Sequence, residues 1–359
     1  METVKVGLII PTRDRPDFVI RQLDYYAAVR CPHHIYIVDS SSQEKAQKLQ
    51  HHAEWLRDKL RIDYFTYPPG PDCFQFVIPL VKEQYVTYCG DDDYQIPDSI
   101  TQCAQFLEEH PDYNTATGYA VTFQLKNSGN GVYGELGSLS DYPRPPIEAN
   151  TASERVIDYF SRYFVTEFSV RRTEMAKKIF QGTNVKDRAF GTEIFRCTLD
   201  IVFGKSKTVD CLGFVRQMHQ SHYELIRNVE WITSEHWRES YLQFRDRVAQ
   251  EIAVQDKIPL DEALEVTKRA FWIYLQRHLA KDYREKYAQE KKKNAVQLLS
   301  GKLRPVFTRA IPILKTFYRS WIKKPSIGSK DLHFKVLQKS SPYYKDFKPV
   351  MDSFTSKLP

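Results

Sequence analysis

No uninterrupted apolar run of about 18 residues occurs in the chain, so the sequence offers no membrane-spanning helix. The six cysteines (Cys31, Cys73, Cys89, Cys103, Cys197, Cys211) form no CxxC pair and no zinc-type spacing. Several lie in apolar runs, where a buried thiol is expected, and the chain reads as reduced and cytosolic. The phosphate-binding pattern GxxxxGK[ST] is absent, which excludes a P-loop enzyme. Glycine and proline follow no period, which excludes collagen-like and low-complexity chains, and no repeat at solenoid spacing is present. The first apolar run, Val6 to Ile10, is too short for a secretory signal and no basic segment precedes it.

A hydrophobic content of 42% with 27% charged residues belongs to a folded globular chain, large enough at 359 residues for one large domain or two modest ones. The net charge of +7 is unevenly spread. Residues 281–359 carry 19 Lys and Arg against 6 Asp and Glu, whereas the preceding 280 residues are mildly acidic. A basic tail on an acidic body suits an anionic partner. It carries no RNA- or DNA-binding motif, so nucleic acid is not expected as that partner.

Strand-like runs end at Ile10, Val38, Thr66 and Cys89, and helical patterns over 16–29, 43–59, 74–83 and 97–109 follow them in turn. A strand over 115–124, a loop over 125–150, a helix from Thr151-x-x-Glu154 to about 164, a strand at 165–171 and a helix at 172–181 come next. A loop over 182–191, a helix over 192–203 and a strand at 207–217 complete this body, and the pattern from about 235 to 300 is helical. The alternation predicts an α/β fold: a mixed, mostly parallel sheet flanked by helices, with a helical C-terminal extension. Ligands of such sheets collect at the carboxyl ends of the strands. Three polar clusters fall there: Thr12-Arg13-Asp14-Arg15, Asp39-Ser40-Ser41-Ser42 and Asp91-Asp92-Asp93.

Three adjacent carboxylates after a buried strand repel one another unless a cation offsets them. Hard oxygen ligands suit Mg²⁺ or Mn²⁺ together with substrate phosphates. In an extended chain Asp91 and Asp93 face one site while Asp92 points elsewhere. The same residues also suit a solvated acidic turn capping the helix that starts near Pro97.

The ordered set Pro11-Thr12-Arg13-Asp14-Arg15, Asp39-Ser40-Ser41 and Gly90-Asp91-Asp92-Asp93, each after a strand, resembles the nucleotide-sugar glycosyltransferases of GT-A (Rossmann-like) fold, in the family 2-like group, over about residues 3–222. The resemblance implies that Pro11, Thr12, Arg13, Asp14 and Arg15 line the base and ribose, with Asp39 and Ser40 beside them and Asp91 and Asp92 close to the nucleotide. It implies that Asp91 and Asp93 anchor Mn²⁺ or Mg²⁺ on the diphosphate as a DXD pair. It further implies a general base near Gly191-Thr192-Glu193, for which Glu193 is the first choice and Asp187 the second. A histidine completing the metal shell would be His219, then His222. An acid in the first turn of a helix also interacts favourably with the helix dipole, and a lone His is more often structural. The motif QxxRW is absent, which argues against a processive synthase.

The implied organisation is a catalytic domain over 1–225, with a nucleotide half to about 124 and an acceptor half beyond it. A helical region over 226–300 and a basic amphipathic segment over 301–359 follow. The implied partners are a nucleotide-sugar donor, with UDP favoured, and a glycan or lipid-linked acceptor in surface polysaccharide synthesis, with inversion of the anomeric centre. Residues 303–324 carry Leu, Ile, Phe and Trp on one face and Lys and Arg mostly on the other. Such a helix can lie on an anionic membrane surface, which would make the enzyme peripheral on the cytoplasmic face, or dock on the body or a second subunit. The alternative reading is a non-catalytic sugar- or nucleotide-binding or assembly protein on the same fold.

Overall fold

The run Val6–Thr12 (β1) divides its side chains between two buried layers, Leu8 and Ile10 on one and Ile9 on the other. His34–Asp39 (β2) repeats the pattern, with Ile35 and Ile37 opposite Tyr36 and Val38. Strands apolar on both sides need helices on both sides. The computed structural model, which describes residues 4–69, 72–126, 131–219, 228–299 and 331–355, shows that arrangement.

The remaining strands are Ile62–Thr66 (β3), Tyr85–Tyr88 (β4), Tyr94–Gln95 (β5), Tyr113–Lys126 (β6), Glu135–Asp141 (β7), Val170–Arg172 (β8) and Lys205–Gln217 (β9). They form one sheet in the order β3-β2-β1-β4-β8-β6-β9-β5, with β7 paired to β6. β3, β2, β1 and β4 run parallel, β8 is antiparallel between β4 and β6, and β6 and β9 are parallel to each other. The β6–β9 pair is bulged where Gly118 meets Gly213; a Cβ on Gly118 would lie 2.6 Å from the Gly213 nitrogen, so the two backbones touch only because both lack side chains.

One face of the sheet is covered by the helices Pro16–Ala28 and Gln43–Trp55. The C-terminal helix Tyr344–Thr355 joins them through Phe347, Val350 and Phe354, and the Phe354 ring stacks on Phe123 with centroids 4.6 Å apart. Residues 331–355 are therefore part of the core of the body, in the same layer as Leu8 and Ile10 of β1 and Ile35 and Ile37 of β2. The other face carries the helices Ala152–Ser161, Thr173–Phe180 and Phe195–Phe203, and outside them Trp237–Asp256 and Leu260–Leu299. Among the described residues no helix is long and apolar enough to cross a membrane. The segment 303–324 lies outside the described residues.

Two expectations from the sequence are corrected. The predicted loop over 125–150 contains β7, an edge strand with mostly exposed Gly, Ser and Glu positions that show no apolar alternation. The predicted strand at 165–171 is mostly a turn; only Val170–Arg172 pairs, because Arg171 is drawn inward to Asp200. Both side chains are fully buried, with Arg171 Nη1 3.1 Å from Asp200 Oδ2. Arg171 Nη2 also donates to the carbonyls of Thr166 and Glu167 at 2.8 Å each, which fastens the 165–169 turn.

Candidate active site

The register β1–β2–β3 aligns Thr12, Asp39 and Thr66 at one edge of the sheet, and β4 ends beside them at Tyr88. From there the chain turns through Gly90-Asp91-Asp92-Asp93 and returns as β5, which pairs Tyr94 with Val215 on β9. That pairing brings the end of β9 against the acidic turn. The backbone N–H of Gln217 donates to Asp93 Oδ1 at 2.9 Å, and His219 Nε2 lies 2.7 Å from Asp92 Oδ2. His222 falls outside the described residues.

All three aspartates are buried, at 7%, 5% and 2% exposure, so their charges must be offset locally. Thr12 Oγ1 donates to Asp91 Oδ2 at 2.9 Å. Arg15 spans two of the acids, with Nη1 2.8 Å from Asp91 Oδ1 and Nη2 2.9 Å from Asp92 Oδ2. The same Nη2 is 3.0 Å from His219 Nε2. Burial and the charge of Asp92 push the Asp91 carboxyl up to about 7, against the pull of Arg15. Burial would lift Asp92 too, but His219 and Arg15 hold it well below the usual carboxylate range. Asp93, buried beside Asp92, is pushed well up, opposed by the positive charge of Arg216.

The sequence pattern set Asp91 and Asp93 together and Asp92 apart. The structure instead brings Asp92 to His219, while Asp91 meets Thr12 and Arg15 and Asp93 meets β9. The alternation of an extended strand does not apply, because Asp91 and Asp92 occupy a turn in which Asp93 N–H bonds the Gly90 carbonyl at 3.2 Å. Among the described residues no three His, Cys, Asp or Glu side chains gather as a complete metal shell. Asp92 Oδ2 and His219 Nε2, in hydrogen-bond contact with each other, nevertheless form an oxygen–nitrogen pair that already faces a cation, the Arg15 guanidinium. This donor set fits Mg²⁺ or Mn²⁺ with the remaining positions left to phosphate and water.

Around the acids lies a scaffold that carries no signature in the sequence. Phe18, in the first turn of the helix after Arg15, stacks on His219 with centroids 5.6 Å apart and lies 4.3 Å under the Arg15 guanidinium carbon. Gln22, one turn on, donates from Nε2 to the carbonyls of Gly90 and Asp93 at 2.9 and 2.7 Å, and Arg21 donates to the Asp92 carbonyl at 3.0 Å. The only available hint was the i, i+4 spacing of Phe18 and Gln22 on a helix adjoining the first polar cluster.

Asp39 is fully buried: Oδ1 accepts from Ser41 N–H at 2.8 Å and Oδ2 from the Tyr64 hydroxyl at 2.5 Å. Ser41 Oγ in turn accepts from Asp14 N–H at 2.7 Å, and Asp14 Oδ1 accepts from Ser42 N–H at 3.1 Å. Asp14 adopts φ 56°, a left-handed conformation that this cross-loop bonding holds. In this chain Asp39 thus ties the first two strand-end loops together. Ser40 adds a backbone bond to the Thr12 carbonyl at 3.0 Å; Pro11 is half-buried and Arg13 exposed. Beside these loops is a cavity of about 430 Å³ bounded by Asp14, Arg15, Phe18, Lys45, Lys48 and Val132.

Glu193 sits in a single π-helical turn, Phe190–Ile194, that opens the helix Phe195–Phe203; one-turn π segments are frequent at functional sites. Its Oε1 accepts from the Tyr163 hydroxyl at 2.8 Å. Burial raises its carboxyl, while Tyr163 and the charge of Arg216 pull it down. Arg216, on β9, donates to the Tyr142 hydroxyl at 3.1 Å, and its charge favours the ionised forms of both Asp93 and Glu193. Asp187 plays a different part. It accepts from Phe190 N–H and from Trp231 Nε1, each at 3.0 Å, and so caps the π turn from the interior.

Were Glu193 to serve as a general base, it would work only above its own pKa. The acid limb of the kcat/KM profile of any reaction that uses Glu193 in this way is then expected above the ordinary glutamate value of 4.5. Tyr163→Phe removes a bond to the ionised form and moves that limb to higher pH. An unmoved limb in the pH–rate profile would show that Glu193 is not the titrating group.

Neither the protein-family models nor the curated proteins contain a match to this chain. Among solved structures it is similar to S. aureus TarS 1-349, at 16% identity and a TM-score of 0.49, covering 77% of this chain and 72% of that one. It is similar to the same TarS fragment in complex with UDP-GlcNAc, at 13% identity and a TM-score of 0.42 over 78% of this chain and 92% of that one. It is also similar to the mannosyltransferase PcManGT from Pyrobaculum calidifontis in complex with GDP-Man and Mn²⁺, at 13% identity and a TM-score of 0.41 over 89% and 88% of the two chains.

Proposed function

We propose that the chain is a divalent-metal-dependent glycosyltransferase that moves a sugar from a nucleoside-diphosphate donor to a hydroxyl of a glycan or lipid-linked acceptor. The observation that carries this reading is the buried acid turn, where Arg15 pairs with Asp91 and Asp92 and Asp92 also meets His219. Such a turn suits a diphosphate and its cation, and the Glu193 carboxylate held by Tyr163 suits an acceptor hydroxyl. The nucleoside lies against the strand-end loops, where the cavity beside Asp14 and Phe18 has room for it. Thr12, Arg15 and Arg216 face the diphosphate. Asp92 and His219 would hold Mn²⁺ or Mg²⁺, with Asp91 and Asp93 adding negative charge behind them. A cation there supplies Lewis-acid stabilisation of the departing nucleoside diphosphate.

Glu193, ionised and held by Tyr163, takes the proton of the acceptor hydroxyl as its oxygen bonds the anomeric carbon and the sugar–phosphate bond breaks. One base and one in-line displacement give inversion. The absence of QxxRW supports a single transfer per encounter, and the sequence resemblance supports UDP as the donor nucleotide and surface polysaccharide as the product class. The basic segment 303–324 would bring the enzyme to an anionic membrane surface on the cytoplasmic side, where a lipid-linked acceptor resides.

A thermal-shift panel of UDP, GDP, CDP, dTDP and CMP, each with and without Mn²⁺, tests the donor site. A ligand at about 100 times its Kd adds roughly 2.7 kcal/mol, readily seen in Tm. One nucleoside diphosphate should give a Mn²⁺-dependent shift that Asp92→Asn removes. No shift with any nucleotide contradicts the donor site and favours a non-catalytic protein.

A further inference from the structure

Three atoms at the end of β9 make a small triangle: Arg15 Nη2 is 2.9 Å from Asp92 Oδ2 and 3.0 Å from His219 Nε2, and these two are 2.7 Å from each other. An imidazole nitrogen and a carboxylate oxygen turned to one point form the bite of a cation site, and the atom they face is a guanidinium nitrogen. With Nη1 of the same group on Asp91 Oδ1, Arg15 supplies the positive charge that the acid turn requires. The side chain is held from below by the Phe18 ring and is 30% exposed, so it can leave without unpacking the core.

We infer that Arg15 is an internal plug: in the donor-free protein its guanidinium fills the divalent-cation position between Asp92 and His219, and it gives up that position only when a diphosphate takes it over. This rests on the donor site proposed above. The exchange follows from ordinary pairing preferences. A guanidinium binds phosphate oxygens through two parallel N–H bonds at least as well as it binds a carboxylate. Once Arg15 turns to the diphosphate, Asp91 and Asp92 lose the guanidinium that bridges them, and the Asp92–His219 pair becomes open to a cation. Nucleotide and cation affinities are then coupled through Arg15, and coupling is reciprocal: whatever factor the nucleotide adds to cation affinity, the cation adds to nucleotide affinity. As a consequence, the site does not hold a bare metal ion able to polarise water before a donor arrives.

The test reads free Mn²⁺ by its electron paramagnetic resonance signal in titrations of the full chain without any nucleotide. Arg15→Gln is expected to bind Mn²⁺ at least tenfold more tightly than the wild type, and the gain should vanish in Arg15→Gln combined with His219→Ala. Arg15→Lys, which keeps one charge but spans only one of the two carboxylates, should give a smaller gain in the same direction, and melting curves confirm that each variant is folded. Adding UDP or GDP should tighten Mn²⁺ binding by the wild type at least tenfold, and by Arg15→Gln several-fold less. Unchanged or weaker Mn²⁺ binding by both Arg15 variants overturns the plug. If the wild type still binds a nucleoside diphosphate with Mn²⁺ in that case, the proposed function stands without it. If no nucleotide binds the wild type, the proposed function fails, while the nucleotide-free titration still decides whether Arg15 occupies the cation position.

Discussion

Glu193→Gln is expected to lower the rate of sugar transfer by about 10²–10⁴-fold, the range that a positioned general base contributes. The substitution keeps the shape of the side chain and an oxygen that can accept from Tyr163, so the π turn and its cap on Asp187 stay in place. Nucleoside-diphosphate affinity should be unchanged, because the acid turn is held by Thr12, Arg15 and the end of β9, whereas Glu193 is held by Tyr163. Single-turnover kinetics with nucleotide binding measured in parallel separate the two effects. Turnover within a few-fold of the wild type would remove Glu193 from the chemistry. Loss of nucleotide binding together with rate would make it a structural residue.

Asp200→Ala is expected to cost about 3–5 kcal/mol of folding stability, as removal of one partner from a buried ion pair does. Arg171 would remain inside the protein, fully buried, without its ion-pair partner and beside the carbonyls of Thr166 and Glu167 and the Tyr88 ring, 4.8 Å from its guanidinium carbon. Burial pushes the Asp200 carboxyl up to about 6, Arg171 and Thr166 notwithstanding. A carboxyl raised above its unfolded value of 3.8 makes the folded state bind protons more tightly, so the stability that Asp200 affects falls as pH rises through that window. The double replacement Arg171→Met with Asp200→Leu should cost far less than Asp200→Ala alone, because no charge is then stranded. Denaturant unfolding of the wild type and both variants measures this. Equal losses in the single and double variants would mean that packing around the 165–169 turn, and not the ion pair, holds this half of the protein together.

The parallel strands β1 to β4 were legible in the sequence because their physics is local. β1 and β2 alternate two buried faces, each ends at a polar residue, and a helix follows, so Thr12, Asp39 and the acid turn fall on one edge by counting alone. Which aspartate does what was not legible. It depends on the turn at Asp91 and Asp92 and on a two-residue strand, β5, whose partner lies about 120 residues away. The buried arginines are likewise silent in sequence, since Arg21, Arg171 and Arg196 look like any surface arginine until the carbonyls and carboxylates they meet are known. Charge misled at the C-terminus. Counting Lys and Arg placed 331–355 with the basic segment, yet Phe347, Val350 and Phe354 recur at helical spacing and dock on the sheet, while Lys345 and Lys348 stay outside. The apolar period was the better guide there, because burial of one face decides where a helix goes and its charged face merely tolerates the result.

The central claim, that a metal-dependent donor site and a base at Glu193 serve one transfer reaction, is tested most directly by release of nucleoside diphosphate. UDP-, GDP- and dTDP-sugars are incubated with the wild type and with Glu193→Gln, with and without Mn²⁺, in the presence of a mixture of hydroxyl-bearing sugars. The account predicts Mn²⁺-dependent release from the sugars of one nucleotide by the wild type, and its near-complete loss in Glu193→Gln even though that variant still binds the same nucleotide. Equal release by both proteins, or release indifferent to divalent cations, would contradict it.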